Sequence, residues 1–185
     1  MTDIRKSRIL IIATDGFEQS ELMVPRDKLK QAGAEVHVAS PTGRAIRGWK
    51  QTDWGESVDV DLKIAEAKPE QYDALVIPGG QINPDKLRAD DDAMGVVKSF
   101  LKDGKVVAAI CHGPWLLVEA DALRGRAVTS YRSIKTDVVN AGGKWVDKEV
   151  VVDKGIVTSR SPDDLDAFCS KIVEELEEGR HKRAA

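Results

Sequence analysis

Cys111 has the surroundings a nucleophilic cysteine needs. It follows the apolar run Val106–Ile110 (VVAAI) and opens the segment Cys111-His112-Gly113-Pro114, ahead of a stretch with helical character, Trp115–Leu123. A nucleophile on a sharp strand-to-helix turn requires small residues two before and two after it, because the backbones crowd there. Ala109 and Gly113 meet that requirement, with Ala where the usual pattern has Gly. A thiol at the start of a helix is drawn toward thiolate by unpaired N–H groups and the helix dipole. The competing reading is a buried structural cysteine before a helix. His112 follows directly, and neighbouring side chains on a helix point apart, so only an unusual turn brings its ring to the sulfur.

Other residues gain meaning from where the elements would place them. Arg8–Ala13, Ala74–Ile77 and Val106–Ile110 read as buried strands, Glu35–Ala39 as a further strand, and Ser20–Gln31, ending at Gly33, as a helix. Val58–Ile64 alternates acidic and apolar residues like an edge strand. Pro84–Gly104 reads as one helix with Asn83 as N-cap. Ser133–Ala141 reads as a short helix, and Lys144–Asp147, Glu149–Asp153 and Ile156–Ser159 as short strands. Asp163–Glu178 reads as an amphipathic helix carrying Leu165, Phe168, Cys169 and Ile172 on one side. Such alternation predicts an α/β fold with a mostly parallel sheet and helices on both faces. Ligands in such sheets bind beyond the carboxyl ends of the strands. Asp15-Gly16-Phe17-Glu18, Pro78-Gly79-Gly80 and Cys111-His112-Gly113 are therefore expected at one rim. There Gly79 and Gly80 offer N–H groups to an oxyanion, and Glu18 a carboxylate to Cys111. Taken alone, a Pro-Gly-Gly is more often only a turn, and Glu18 only a first-turn helix acid.

Composition narrows the rest. The 185 residues suit one domain, 1–185, with a polar tail from about Gly179 to Ala185. A formal net charge of −3, with both signs interspersed, argues against tight nucleic-acid binding. The first apolar run is too short to span a membrane, and no signal-peptide cleavage pattern follows it, so a cytoplasmic protein is expected. Its two cysteines, Cys111 and Cys169, imply no disulfide framework. No metal site is expected, because Cys111-His112 lacks a second pair at metal-ligand spacing. His37, His181 and Cys169 read as structural; Trp115 reads equally well as pocket wall or core.

These residues resemble the PfpI family, the intracellular-protease-like branch of the DJ-one/PfpI superfamily. The resemblance runs from about Arg8 to Leu176. It rests on Asp15-Gly16-Phe17-Glu18, Pro78-Gly79-Gly80, Pro84-Asp85-Lys86-Leu87-Arg88, Ala109-Ile110-Cys111-His112-Gly113-Pro114, Leu123-Arg124-Gly125-Arg126, Thr129-Ser130-Tyr131, Asn140-Ala141-Gly142, Trp145-Val146-Asp147 and Thr158-Ser159-Arg160. It implies a flavodoxin-like, amidotransferase-like fold with Cys111 as nucleophile, His112 as catalytic histidine and Glu18 as the carboxylate on the sulfur. It also implies an oxyanion or substrate site at Gly79, Gly80 and Gly113, and no cofactor. Asp85 stands where a relative carries Glu to orient the histidine from a neighbouring subunit, so a homodimer or larger assembly is implied, with the site near its interface. The glutaminase arrangement of the same fold is missing, because the last histidine, His181, is followed by Lys182-Arg183 instead of a glutamate two residues on. The implied activity is a stress-protective cysteine hydrolase or lyase acting on reactive carbonyls, glycated groups or peptides. The alternatives are a redox sensor or chaperone-like protein working through oxidation of Cys111, and, from the resemblance alone, a nucleic-acid-associated repair factor.

Overall fold

The computed structural model describes residues 3–181. Seven strands form the central sheet: β1 (Arg8–Ile12), β3 (Glu35–Ser40), β6 (Leu62–Lys63), β7 (Ala74–Ile77), β8 (Val106–Ile110), β11 (Val150–Asp153) and β12 (Ile156–Ser159). Their order is β11-β12-β8-β7-β1-β3-β6, and every pair is parallel except β11 with β12. The remaining strands are β2 (Phe17–Glu18), β4 (Ile46–Lys50) and β5 (Asp53–Val58), which form a small second sheet, and the pair β9 (Ala127–Val128) and β10 (Lys144–Trp145). The helices are α1 (Gln19–Gln31), α2 (Ile82–Leu87), α3 (Asp91–Lys102), α4 (Trp115–Glu119), α5 (Lys135–Asn140) and α6 (Leu165–Glu178).

Side chains along a strand alternate between faces, so an all-apolar strand needs a cover on both sides. Ile9, Ile11, Val76, Ala108 and Ile110 pack with Leu22 and Leu29 of α1 and Phe168 and Ile172 of α6. Leu10, Ile12, Leu75, Ile77 and Ala109 pack on the other side with Val97 and Phe100 of α3, Leu116 and Leu117 of α4, and Val138 of α5. Each fully buried Leu, Ile or Phe contributes about 1.5–3 kcal/mol, so these two cores fix the sheet to which the loops are attached.

Three elements differ from the sequence reading. The stretch expected as one helix, Pro84–Gly104, is two: the Asp90 side chain accepts the Ala93 N–H at 2.8 Å and starts α3 anew. Asn83 lies inside α2 and does not cap it. The expected strand Val58–Ile64 does not form as one strand. Asp61 bonds Val38 twice, through its own N–H at 2.8 Å and its carboxylate at 2.7 Å, which leaves only β6 beyond it. The β4–β5 hairpin, which lacks clean alternation, was not read from the sequence. It turns at Gln51 (φ 58°), and Trp49 and Trp54 face each other across it with ring centroids 5.5 Å apart. No described helix is long and apolar enough to cross a membrane.

Candidate functional site

The chain runs from β1 outward through β3 to β6, then returns to the other side of β1 as β7. The crevice between the carboxyl ends of β1 and β7 is therefore the topological switch point, where open parallel sheets bind ligands. Cys111 stands immediately after β8, the next strand, with φ 63°. A non-glycine residue held in this region costs of order 1–3 kcal/mol, and its surroundings must impose it. Here the Cys111 N–H donates to the Ser159 carbonyl at 3.0 Å, and its own carbonyl accepts the Tyr131 N–H at 2.8 Å. Gly113 donates its N–H to the Ile110 carbonyl at 2.8 Å, and a Cβ there would stand 2.7 Å from the Ile77 carbonyl. It is a packing residue of the turn, so the oxyanion role expected of it does not fit.

The carboxylate against the sulfur is Glu21, not Glu18. Glu21 lies one helical turn further on, in α1, with 0% exposure, and its carboxyl reaches the Cys111 thiol. Its Oε2 accepts the Gly79 N–H at 2.9 Å. The expected oxyanion donor Gly79 is thereby occupied, and a Cβ on it would stand 2.6 Å from that of Cys111. The N–H groups that face the sulfur belong to Gly80 and to His112 itself. Gly80 turns its amide inward with φ 80°, a conformation other residues adopt at a cost. Glu18 bonds the Ser20 hydroxyl at 3.2 Å and lines the cavity mouth. The signal for Glu21 was present in the sequence: it shares the buried stripe of α1 with Leu22, Pro25 and Leu29, where an acid has no solvent.

Burial pushes the Glu21 carboxyl up to about 8, and the charge of Glu18 pushes the same way, so it carries its proton at neutral pH. Burial also raises the Cys111 thiol; a charged Glu21 adds to this, while the Gly80 and His112 N–H groups oppose it. Helix α4 begins only at Trp115 and has five residues, so the helix-dipole activation expected of Cys111 is not supplied, and burial outweighs the two N–H donors and keeps the sulfur a thiol. The elbow does bring the adjacent ring to the sulfur: His112 Nδ1 is 3.2 Å from Cys111 Sγ. On its far side His112 Nε2 meets Ser133 Oγ at 3.1 Å, and the ring stacks on Tyr131 at 4.8 Å. Burial lowers the His112 pKa, with Asp137 opposing, so the imidazole is neutral and able to accept a proton. Trp115 meets His112 edge-on at 5.1 Å and donates its indole N–H to Asp137 at 2.8 Å.

Cys111, His112, Glu18, Glu21, Gly80 and Tyr131 line one cavity of about 430 Å³. Asp85 is exposed on α2, with no hydrogen bond to His112 of its own chain. Ser133, Tyr131 and Glu21 were not assigned to the site from the sequence. Cys169 is a core residue of α6, with burial pushing its thiol up to about 11. His37 bonds Tyr72 and Glu35, away from this cavity. Among the described residues, the one group close enough to share a metal ion is Glu175, Glu178 and His181, outside the cavity.

The model of the DJ-1/PfpI family matches residues 7–175. The chain belongs to that family. It is 46% identical over 169 residues to a deglycase of Pyrococcus abyssi, covering 91% of this chain and 99% of that protein. It is 43% identical to the deglycase PfpI of Pyrococcus furiosus, with the same coverage. Among solved structures, DJ-1β of Drosophila melanogaster superposes with a TM-score of 0.83 at 29% identity, covering 93% of this chain and 94% of that one. A two-domain protein from Anabaena variabilis, with DJ-1/ThiJ/PfpI-like and ferritin-like domains, gives a TM-score of 0.85 at 38% identity. This family member covers 93% of its own length in that match and 48% of the larger chain.

Proposed function

We propose that this protein is a cysteine-dependent deglycase, acting on carbonyl adducts and on the small reactive carbonyls that form them. The observation that carries the proposal is the 3.2 Å approach of His112 Nδ1 to Cys111 Sγ beside a buried, protonated Glu21. The neutral imidazole takes the thiol proton, and the sulfur attacks the carbonyl carbon to form a C–S bond. The oxygen gains negative charge within reach of the Gly80 and His112 N–H groups. Glu21, holding a proton at pH 7, gives it to the amine, guanidine or thiol that departs from an adduct, or to the oxygen when the carbonyl is free. The carboxylate left behind takes the proton of the sulfur-bearing carbon and returns it to the neighbouring carbonyl carbon, which converts the hemithioacetal to a thioester. Water then cleaves the sulfur–carbon bond of the resulting thioester. Ser133 holds the far side of the imidazole and keeps Nδ1 aimed at sulfur. Deglycase relatives at about 45% identity support this over peptide cleavage.

The proposal includes a second copy of the chain, whose Asp85 approaches His112, and a cytoplasmic setting in which the thiol is reduced. Turnover of methylglyoxal and of a glycated amide is the test. Cys111→Ser is expected to lower it at least about a thousandfold, the scale seen when a nucleophile acting with its base is removed. Full turnover by that variant refutes the proposal. Oxidation of Cys111 is a second reading, favoured by the carboxyl and two N–H groups already facing the sulfur. Intact mass after mild peroxide should then show two added oxygens on Cys111; an unmodified Cys111 removes this reading.

A further inference from the structure

With Glu21 in contact with the sulfur, Glu18 is left without the role expected of it. Its side chain is half-buried at the mouth of the cavity and bonds only the Ser20 hydroxyl. Its charge reaches inward far enough to raise the Glu21 pKa. Among the described residues no lysine or arginine lines the cavity. Trp49, which pairs with Glu18 across β2 and β4, and Tyr131, whose ring stacks on His112, line it instead. Lys50 lines an adjoining depression together with Glu18, outside this cavity. A carboxylate in a cavity that no lysine or arginine lines attracts a cation and repels an anion. Guanidinium groups suit such a carboxylate best, because their fork matches its two oxygens.

We infer that the cavity selects substrates with a positive charge beside the reacting carbonyl, namely adducts on guanidinium or ammonium side chains, and that Glu18 sets the selection. The inference rests on the deglycase reading for the reaction, but its charge preference can be measured without turnover. A cationic and an anionic methanethiosulfonate of similar size each form a disulfide with Cys111, the sulfur displacing a sulfinate. Their rates, each divided by that reagent's rate with a free small thiol, report which charge enters the cavity. The modified Cys111 peptide is followed by mass, so that Cys169 does not contribute.

The cationic reagent is expected to react at least about tenfold faster with the unaltered protein, within the range for charge-focusing clefts. Glu18→Gln should cut that ratio several-fold. Gln81→Lys, at an exposed lining position whose side chain makes no capping bond, should cut it further. Added salt should shrink it in each case. Equal rates in the unaltered protein, or a ratio unchanged in both variants, overturn the inference.

The second arm compares kcat/KM for methylglyoxal adducts of acetyl-arginine amide and acetyl-cysteine amide. The arginine adduct should be preferred, and Glu18→Gln should lower that preference. Charge-selective labelling with neither adduct turned over supports the cation selection and refutes the deglycase reading. Turnover without charge preference in either arm does the reverse.

Discussion

Glu21 and Cys111 compete for protons in one buried space, and this sets how the site responds to pH. The folded chain holds Glu21 protonated up to about pH 8, whereas in an unfolded chain it ionises near its ordinary 4.5. A raised folded-state pKa means that the native state binds the extra proton between those values. Its stabilisation is full below about 4.5 and is lost as pH rises through about 8. Glu21→Gln keeps the shape and removes the titration. Urea midpoints are therefore expected to fall for the unaltered chain relative to Glu21→Gln as pH is raised from acid to alkaline. Parallel midpoint curves would show that Glu21 does not titrate across this interval.

At the level of elements, the site depends on three loops meeting at fixed distances. Asn83 supplies the tie: its Oδ1 accepts the Thr14 N–H at 2.8 Å, and its Nδ2 donates to the Pro78 carbonyl at 2.9 Å. The loop after β1, the glycine turn after β7 and helix α2 are thus joined by one buried amide. Asn83→Ala leaves those groups without partners in a space closed to water. The expected cost is about 1–3 kcal/mol, the penalty for a stranded buried polar group. Chemical denaturation should show the lower midpoint. Amide exchange should quicken at Thr14 and Gly80, while β8 keeps its protection. Unchanged stability would mean that the loops hold their spacing by packing alone.

On the scale of the whole molecule, the outward face of α2 carries the acid that a second chain would bring to the site. Asp85 faces outward, and His112 Nε2 is already bonded to Ser133 within the chain. An acid from a second copy would therefore approach a ring that is already oriented. Mixing Asp85→Ala with Cys111→Ser tests this, because in a mixed dimer the chain with an intact Cys111 faces an intact Asp85. If the acid acts across the interface, the mixture recovers turnover that neither variant has alone. If each chain uses its own Asp85, mixing recovers nothing. Sedimentation of the unaltered protein gives the size of the assembly directly.

The sequence by itself determined four strands of the central sheet, the elbow around Cys111 and the closing helix, because each is written in local periodicity and small-residue spacing. The apolar stripe of α1 marks Glu21 as an acid without solvent, but periodicity does not show that this stripe meets the sulfur. Glu18 ends β2 and Glu21 lies in the first turn of α1, so the change from strand to helix separates two side chains that a continuous helix would set on one face. Only the packing of α1 against the sheet turns Glu21 inward and leaves Glu18 at the rim. The choice between the Gly79 and Gly80 amides is of the same kind. The Gly79 amide is taken by Glu21 alone, whereas the Gly80 amide, with φ 80°, faces both Glu21 and the sulfur. His112 shows the effect most plainly. Adjacent side chains diverge on a regular helix, but the positive φ at Cys111 brings this one to 3.2 Å of the sulfur. Residue identity and spacing marked Cys111; the groups that surround its sulfur follow from how distant segments pack around one strained turn.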